Sequence, residues 1–283
     1  MISVERIGEM QKLADDARLS GKRIGFVPTM GFLHEGHLSL IRLARQSSNL
    51  VVTSIFVNPT QFGPNEDFSR YPRDLARDRS MAESAGTDIL FVPSTEEMYP
   101  VYPGTTVEPG RAASVLEGAV RPGHFRGVVT VVARLLNIVK PHVAVFGQKD
   151  AQQVVIVRQM MRDLQFDCGL VVGPTVREPD GLAMSSRNVY LSPEDRVQST
   201  VLNRSLRLAE KLLREGERDP AVILSGMRRL IESQPSARID YVSVNDPVTL
   251  EEISRPLSGE VLISLAVRFG ATRLIDNCIS TIS

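Results

Sequence analysis

The residues best suited to chemistry are concentrated in one short stretch, Pro28-Thr29-Met30-Gly31-Phe32-Leu33-His34-Glu35-Gly36-His37, which carries two of the chain's four histidines. A neutral imidazole donates a hydrogen bond to an anionic oxygen and can take on charge as a transition state gains negative charge. His34 and His37 are three apart, so on the first turn of a helix they share a face. Gly36 between them removes a Cβ where a flat base or a phosphate approaches the backbone. The helical zinc signature spaces its histidines four apart around a fixed Glu, which this stretch does not. Cys168 and Cys278 form no paired-cysteine motif. Taken singly, either histidine reads as an ordinary cap or surface residue; taken together they favour phosphate binding.

Four further groups could serve the same chemistry. Asn58-Pro59-Thr60-Gln61-Phe62-Gly63-Pro64-Asn65 is a turn-rich loop whose amides, Asn58 and Gln61, can each donate and accept. Arg121-Pro122-Gly123-His124-Phe125-Arg126-Gly127 sets two arginines and a histidine ahead of a helix, either an anion-attracting loop or a solvated basic turn. Gly147-Gln148-Lys149-Asp150 offers Lys149 as a phosphate clamp, with Gln153 one turn into the following helix. Met184-Ser185-Ser186-Arg187-Asn188 holds two hydroxyls and a guanidinium in a small-residue loop that can close over phosphates.

The elements around these groups must deliver them to one edge. Short apolar, β-branched runs at 23–27, 50–57, 88–92, 142–146 and 169–172 read as buried strands. Between them lie helical patterns at 3–20, after His37 (Leu38, Leu40, Ile41, Leu43, Ala44), and at 67–85, 128–139 and 151–164. This alternation predicts an α/β fold, a Rossmann-like doubly wound parallel sheet, with ligands at the C-terminal ends of the strands. The histidines would then sit where a strand turns into a helix whose first amides and dipole favour an anion. Residues 93–118, rich in Pro and Gly, read as an excursion over the sheet. Ser192 and Pro193 open a different texture, with helices at 193–216 and 219–233 and strands at 239–244 and 261–267, a smaller α+β domain. The division expected is 1–176 and 177–283, with a closing loop and hinge at the junction.

A chain of 283 residues suits one large or two modest domains. Lys plus Arg (33) balance Asp plus Glu (33), so no global field recruits nucleic acid or an acidic membrane. The absence of tryptophan and the 5% aromatic content speak against a base-stacking surface. The first residues lack the basic and apolar segments of a signal peptide, and no apolar run is long enough to cross a bilayer. Two scattered cysteines fit a reducing compartment, so a soluble cytoplasmic protein is expected.

The five motifs in this order, over nearly the whole chain, resemble the pantoate–β-alanine ligase family, the pantothenate synthetases. The histidine turn alone is shared by many nucleotidyl transferases and class I aminoacyl-tRNA synthetases; the set is far more specific. The resemblance implies a nucleotidyl-transferase Rossmann domain, a C-terminal lid, a homodimer joined through the N-terminal domains, and ATP-dependent condensation of pantoate with β-alanine through a pantoyl-adenylate. It further implies that Met30, Gly31, Phe32, Leu33, His34, Glu35, Gly36 and His37 hold ATP, with His34 and His37 on its phosphates and His37 as the acid-like donor. Gln61 and Gln153 would bind pantoate, with Pro28, Thr29 and Asn58 on the same substrate edge. Gly147, Gln148, Lys149, Asp150 and Val176 would line the adenosine, Lys149 reaching phosphate, while Met184, Ser185, Ser186 and Arg187 close on the leaving pyrophosphate. Arg121 and His124 are candidates for the β-alanine carboxylate or the pyrophosphate. Mg²⁺ is implied with no assigned protein ligand, and Gln148 stands where some relatives carry an acidic residue. A dinucleotide-forming transferase, a tRNA-charging enzyme and a non-turning nucleotide sensor are the competing readings, the second weakened by the lack of a basic anticodon-binding region.

Overall fold

Five- and six-residue apolar runs flanked by helices on both sides have one stable arrangement, a parallel sheet covered on each face. The computed structural model describes residues 1–64, 66–99 and 104–282. Asn65 in the amide loop, residues 100–103 in the expected excursion, and Ser283 lie outside these. In chain order the first part comprises β1 (Ile2–Val4), α1 (Ile7–Leu19), β2 (Ile24–Thr29), α2 (Glu35–Ser47), β3 (Leu50–Ile55), α3 (Leu75–Ala85), β4 (Ile89–Phe91), α4 (Thr95–Met98), α5 (Glu117–Val120), α6 (His124–Val139), β5 (Val143–Gly147), α7 (Ala151–Asp163) and β6 (Gly169–Gly173). The second comprises α8 (Pro193–Gln198), α9 (Val201–Arg214), α10 (Pro220–Glu232), β7 (Ala237–Asn245), β8 (Gly259–Phe269) and β9 (Thr272–Ile282).

The described residues form a six-stranded sheet in the order β1-β4-β3-β2-β5-β6, every pairing parallel. Alternate residues of each strand feed opposite layers: Ile24, Phe26, Ala144 and Phe146 pack on the side of α1, α6 and α7, while Val27, Val51, Val143 and Val145 pack on the side of α2 and α3. From β2 the chain winds outward through β3 and β4, then returns across to β5. The switch point therefore lies between the C-terminal ends of β2 and β5, where an open α/β sheet leaves its crevice.

The second part is a three-stranded antiparallel sheet, β7-β8-β9, packed on α9 and α10 around Leu206, Met227, Val242, Ile263 and Leu265. Both the doubly wound parallel sheet and the smaller α+β part agree with the expected fold class. The details differ in five places. β1 is a strand of only three residues, too short to show periodicity. The segment before α3 is turns rather than helix, and Asp74 caps the helix by accepting from the Arg77 N–H. α6 begins at His124 rather than 128, so part of the basic motif is its first turn. The helix expected over 193–216 breaks at Ser199-Thr200 into α8 and α9. β9 was not expected at all: its Asp276 and Asn277 are buried, and polar residues at buried positions interrupt the apolar alternation that marks a strand.

Candidate active site

β2 ends in a tight turn whose geometry is set by backbone rather than side chains. Gly31 and Phe32 both have positive φ (82° and 49°), and the N–H groups of Phe32 and Leu33 donate to the two oxygens of Asp78 on α3, each at 2.7 Å. Asp78 is 1% exposed, and burial pushes its carboxyl above the usual range. Leu33 is buried in the layer beneath the sheet, which swings His34 to the N-cap of α2 and leaves His37 in its first turn. The rings lie 4.1 Å apart, and the His34 N–H donates to His37 Nδ1 at 3.3 Å. With Nδ1 accepting, the neutral His37 ring carries its proton on Nε2. The buried Nδ1 of His34 has no partner. A Cβ on Gly36 would lie 2.9 Å from that ring, so the glycine is what admits the histidine here.

These rings face a cavity of about 230 Å³ at the switch point. Its wall includes Pro28, Thr29, Met30, His34, Gly36 and His37 from the β2 turn, Gly147, Lys149, Asp150 and Gln153 from the β5–α7 turn, and Val176, Met184, Ser185, Ser186 and Arg187 from the loop into the second part. Asn58, Gln61, Arg121 and His124 also border it. Burial, then the Lys149 charge, lowers the His34 pKa to about 4 against an opposing pull from Asp150. His37 is driven well below its ordinary value by burial, His34 and Lys149. Both are neutral donors at pH 7.

Lys149 Nζ sits 3.5 Å from the Asp150 carboxylate. Ser186 Oγ donates to the Phe32 carbonyl at 3.3 Å, fastening the serine–arginine loop to the histidine turn. Arg187 gives two N–H donors to Asp67, at 2.9 and 3.0 Å, and lies over the Tyr71 ring, leaving three of its five donors outside that pair. Gln61 donates to the Met30 sulfur at 3.0 Å and accepts from the Asn58 amide at 3.1 Å. Asn58 is 1% exposed, also donates to the Gly127 carbonyl and accepts from the Tyr99 hydroxyl, so it acts as a brace for the Gln61 turn. Arg121 is committed to both oxygens of Glu66, at 2.7 and 2.6 Å, and reaches His124 Nε2 at 3.1 Å. Since Arg121 can only donate, His124 carries its proton on Nδ1 and gives it to the Gln61 carbonyl at 2.8 Å.

Not all of the expected contacts face this space. Gly31 and Phe32 border a separate depression, and Leu33 is core. Glu35 turns outward to Arg42, and Gln148 is paired with Asn277. These five residues, expected to help hold the nucleotide, lie outside the wall of this cavity and shape the turns that present the others. Sequence reasoning missed Asp67, Tyr71 and Asp78, whose segment it read as an exposed helix, and the cavity-lining Pro174 and Thr175. Among the described residues there is no group of three or more His, Cys, Asp or Glu that could hold a metal, and the cavity's polar wall combines cations and hydrogen-bond donors with the Asp150 carboxylate.

Comparison with known proteins identifies the family of the chain and of its fold. A family model described as pantoate–β-alanine ligase matches residues 2–279. The chain is 57% identical over 261 residues to a pantothenate synthetase of Chloroflexus aurantiacus, covering 92% of this chain and 93% of that one. It is 52% identical over 277 residues to one of a Thermoanaerobacter species, covering 98% of each. The crystal structure of pantothenate synthetase from Thermus thermophilus superposes with a TM-score of 0.92 at 48% identity, over 98% of this chain and 99% of that one. A Francisella tularensis pantoate–β-alanine ligase, complexed with β,γ-ATP and β-alanine, gives 0.82 at 36% identity over 99% and 97%.

Proposed function

The chain belongs to the pantoate–β-alanine ligase family, and from that premise we propose how its cavity carries out the ATP-dependent joining of pantoate to β-alanine. The pantoate carboxylate attacks the α-phosphorus of ATP, the bond to the β-phosphate oxygen breaks, and pyrophosphate leaves. The β-alanine amine then attacks the acyl carbon of the pantoyl-adenylate, and the C–O bond to AMP breaks, giving pantothenate. Such chemistry calls for positioning and charge stabilisation more than for a strong base.

His34, His37 and Lys149 donate to the phosphates, and Ser185, Ser186 and the three remaining donors of Arg187 meet the departing pyrophosphate. Gly147, Asp150 and Val176 border the adenosine. Gln61 and Gln153 orient pantoate, with Pro28, Thr29 and Met30 along the same edge. Asn58, Arg121 and His124 act by bracing the Gln61 turn, since their polar atoms are already committed to Gln61, Glu66, Gly127, Tyr99 or one another. Mg²⁺ has no assigned protein ligand; bound with the nucleotide it would neutralise phosphate charge, with most of its oxygens supplied by ATP and water.

One observation carries this reading: imidazoles, an ammonium, two hydroxyls and a guanidinium from three segments distant in sequence border a single cavity beside two amides. In a test, labelled pyrophosphate should exchange into ATP with pantoate present and β-alanine absent. Exchange that requires β-alanine removes the adenylate. ATP binding with no AMP released under any combination of acid and amine favours a nucleotide sensor instead.

We take 1–176 and 177–283 to be two domains, the second closing on the first, and the molecule to be a cytoplasmic homodimer joined through the first. No described helix is long and apolar enough to cross a membrane. Sedimentation equilibrium giving a single-chain mass at micromolar concentration would remove the dimer, and fractionation of cells the cytoplasmic location.

A further inference from the structure

The turn carrying Lys149 has a peculiarity of backbone pairing. Residues Gln148–Asp150 form a single 3₁₀ turn between β5 and α7, so the Gln148 and Lys149 carbonyls lie beyond the sheet ladder and ahead of the α-helix. Both are taken up by one side chain from the second sheet: Asn277 Nδ2 donates to the Gln148 carbonyl at 3.0 Å and to the Lys149 carbonyl at 2.8 Å. Its Oδ1 accepts from Gln148 Nε2 at 3.0 Å. All of the amide's polar capacity on this side is thus spent on two residues of the other part of the chain. Asn277 is 5% exposed and lies on β9, paired with Ser264 of β8, so its place is fixed by a sheet rather than a loop.

The preceding residue does the same for the opposite wall. Asp276, 1% exposed, binds the Arg177 guanidinium at 2.6 and 3.0 Å, and Arg177 also donates to the Gly181 carbonyl. That holds the segment leading into Met184, whose N–H donates to the Val176 carbonyl at 3.0 Å. The Asn277 N–H donates to Asp276 Oδ1 at 2.8 Å, joining the two contacts. Two adjacent residues of β9 therefore set the lysine turn and the serine–arginine loop relative to one another.

We propose that Asn277 is a positioning residue for Lys149, fixing the backbone from which the ammonium reaches the triphosphate and so tying nucleotide activation to docking of the second sheet. This rests on the reading of Lys149 as a phosphate clamp. Removing the amide takes its donor from both carbonyls and frees the turn to rotate, which moves Nζ more than it moves Gln61, or Gln153 in α7 beyond the turn.

The test is steady-state kinetics on Asn277→Ala and the isosteric Asn277→Asp, each alone and with Lys149→Ala, with melting temperatures measured alongside. Asn277→Asp keeps the side chain's shape and the Gln148 contact but donates nothing. Either variant should lower kcat/KM for ATP on the order of tenfold, leaving KM for pantoate within about twofold. With Lys149→Ala already present, the added loss should shrink to less than about twofold, because the group being positioned is gone. Equal losses in both backgrounds, parallel loss for ATP and pantoate, undiminished activity in a folded Asn277→Asp, or failure of both variants to fold would each overturn the role. If Lys149→Ala itself turns over normally, the clamp reading falls and the positioning role with it. If Lys149→Ala is impaired and Asn277→Asp is not, only the positioning role falls.

Discussion

A buried imidazole with a cation for a neighbour holds its proton poorly, and His34, His37 and His124 show it. His34 and His124 are lowered to about 4 and His37 well below its ordinary value, by burial first and then by Lys149, His34 or Arg121. Their unfolded values lie near 6.5. As pH falls from 6.5 toward 4, the unfolded chain takes up protons that the folded chain refuses. The stability drawn from these neutral rings is complete above 6.5 and is lost across that window. Melting temperature should accordingly fall between pH 7 and pH 4.5, and a flat profile there would contradict the burial of neutral rings. For the chemistry, removing a preorganised donor often costs about a hundredfold or more in rate. In protein that still folds, His37→Ala and Lys149→Ala should each lose roughly that much pyrophosphate exchange; near-normal exchange in both would refute their roles.

At the scale of an element, the histidine turn depends on a helix that makes no contact with the histidines through the chain. Asp78 of α3 takes two N–H groups at a point where Gly31 and Phe32 have left the ordinary backbone regions. Asp78→Ala leaves both donors buried without an acceptor and should destabilise the protein by roughly 3 kcal/mol, read from urea unfolding. It should also depress exchange, because the turn presents both rings. A loss below about 1 kcal/mol would mean that water replaces the carboxylate. The amide loop has a comparable support. A Cβ on Gly127 would sit 2.4 Å from the Thr60 carbonyl oxygen, so α6 can lie against the Pro59–Gln61 turn only with glycine at that point.

At the scale of the molecule, the two parts are joined by buried charge as well as by chain. Arg273 of β9 donates to both oxygens of Glu117 at 2.6 and 2.7 Å and to Asp240 at 2.5 Å, while the Tyr241 hydroxyl donates to Glu117 at 2.9 Å. Removing one member of such a cluster strands the others. Arg273→Met should cost roughly 3 kcal/mol in urea unfolding, and Glu117→Gln combined with it should cost less than the two separately. At about 230 Å³ the cavity is smaller than the 300–1,000 Å³ usual for ligand sites. The Ser186–Phe32 and Tyr190–Arg70 contacts hold the serine–arginine segment against the first part of the chain, and we expect a nucleotide to enter as they part. Cross-linking Phe32 and Ser186 as cysteines should abolish nucleotide binding until the bond is reduced; retained binding would show that no opening is needed.

The sequence by itself determined the strand–helix alternation, the order of the five motifs and their delivery to one sheet edge. Each of these follows from local periodicity and from the rule that parallel strands carry ligands at their C-terminal ends. Only the tertiary structure decided which members of a motif face the cavity and which serve the turn. Leu33 and Glu35 flank His34 in the chain, yet one is core and the other is at the surface with Arg42. It alone revealed β9, because Asp276 and Asn277 are polar residues made buriable by partners more than 90 residues away, a pairing that no local window contains. Arg121 and His124 likewise look like free anion binders in sequence and are spent on Glu66 and Gln61 in the fold. A side chain's chemistry is written in its type, but whether its donors remain available depends on contacts between segments that meet only when the chain has folded.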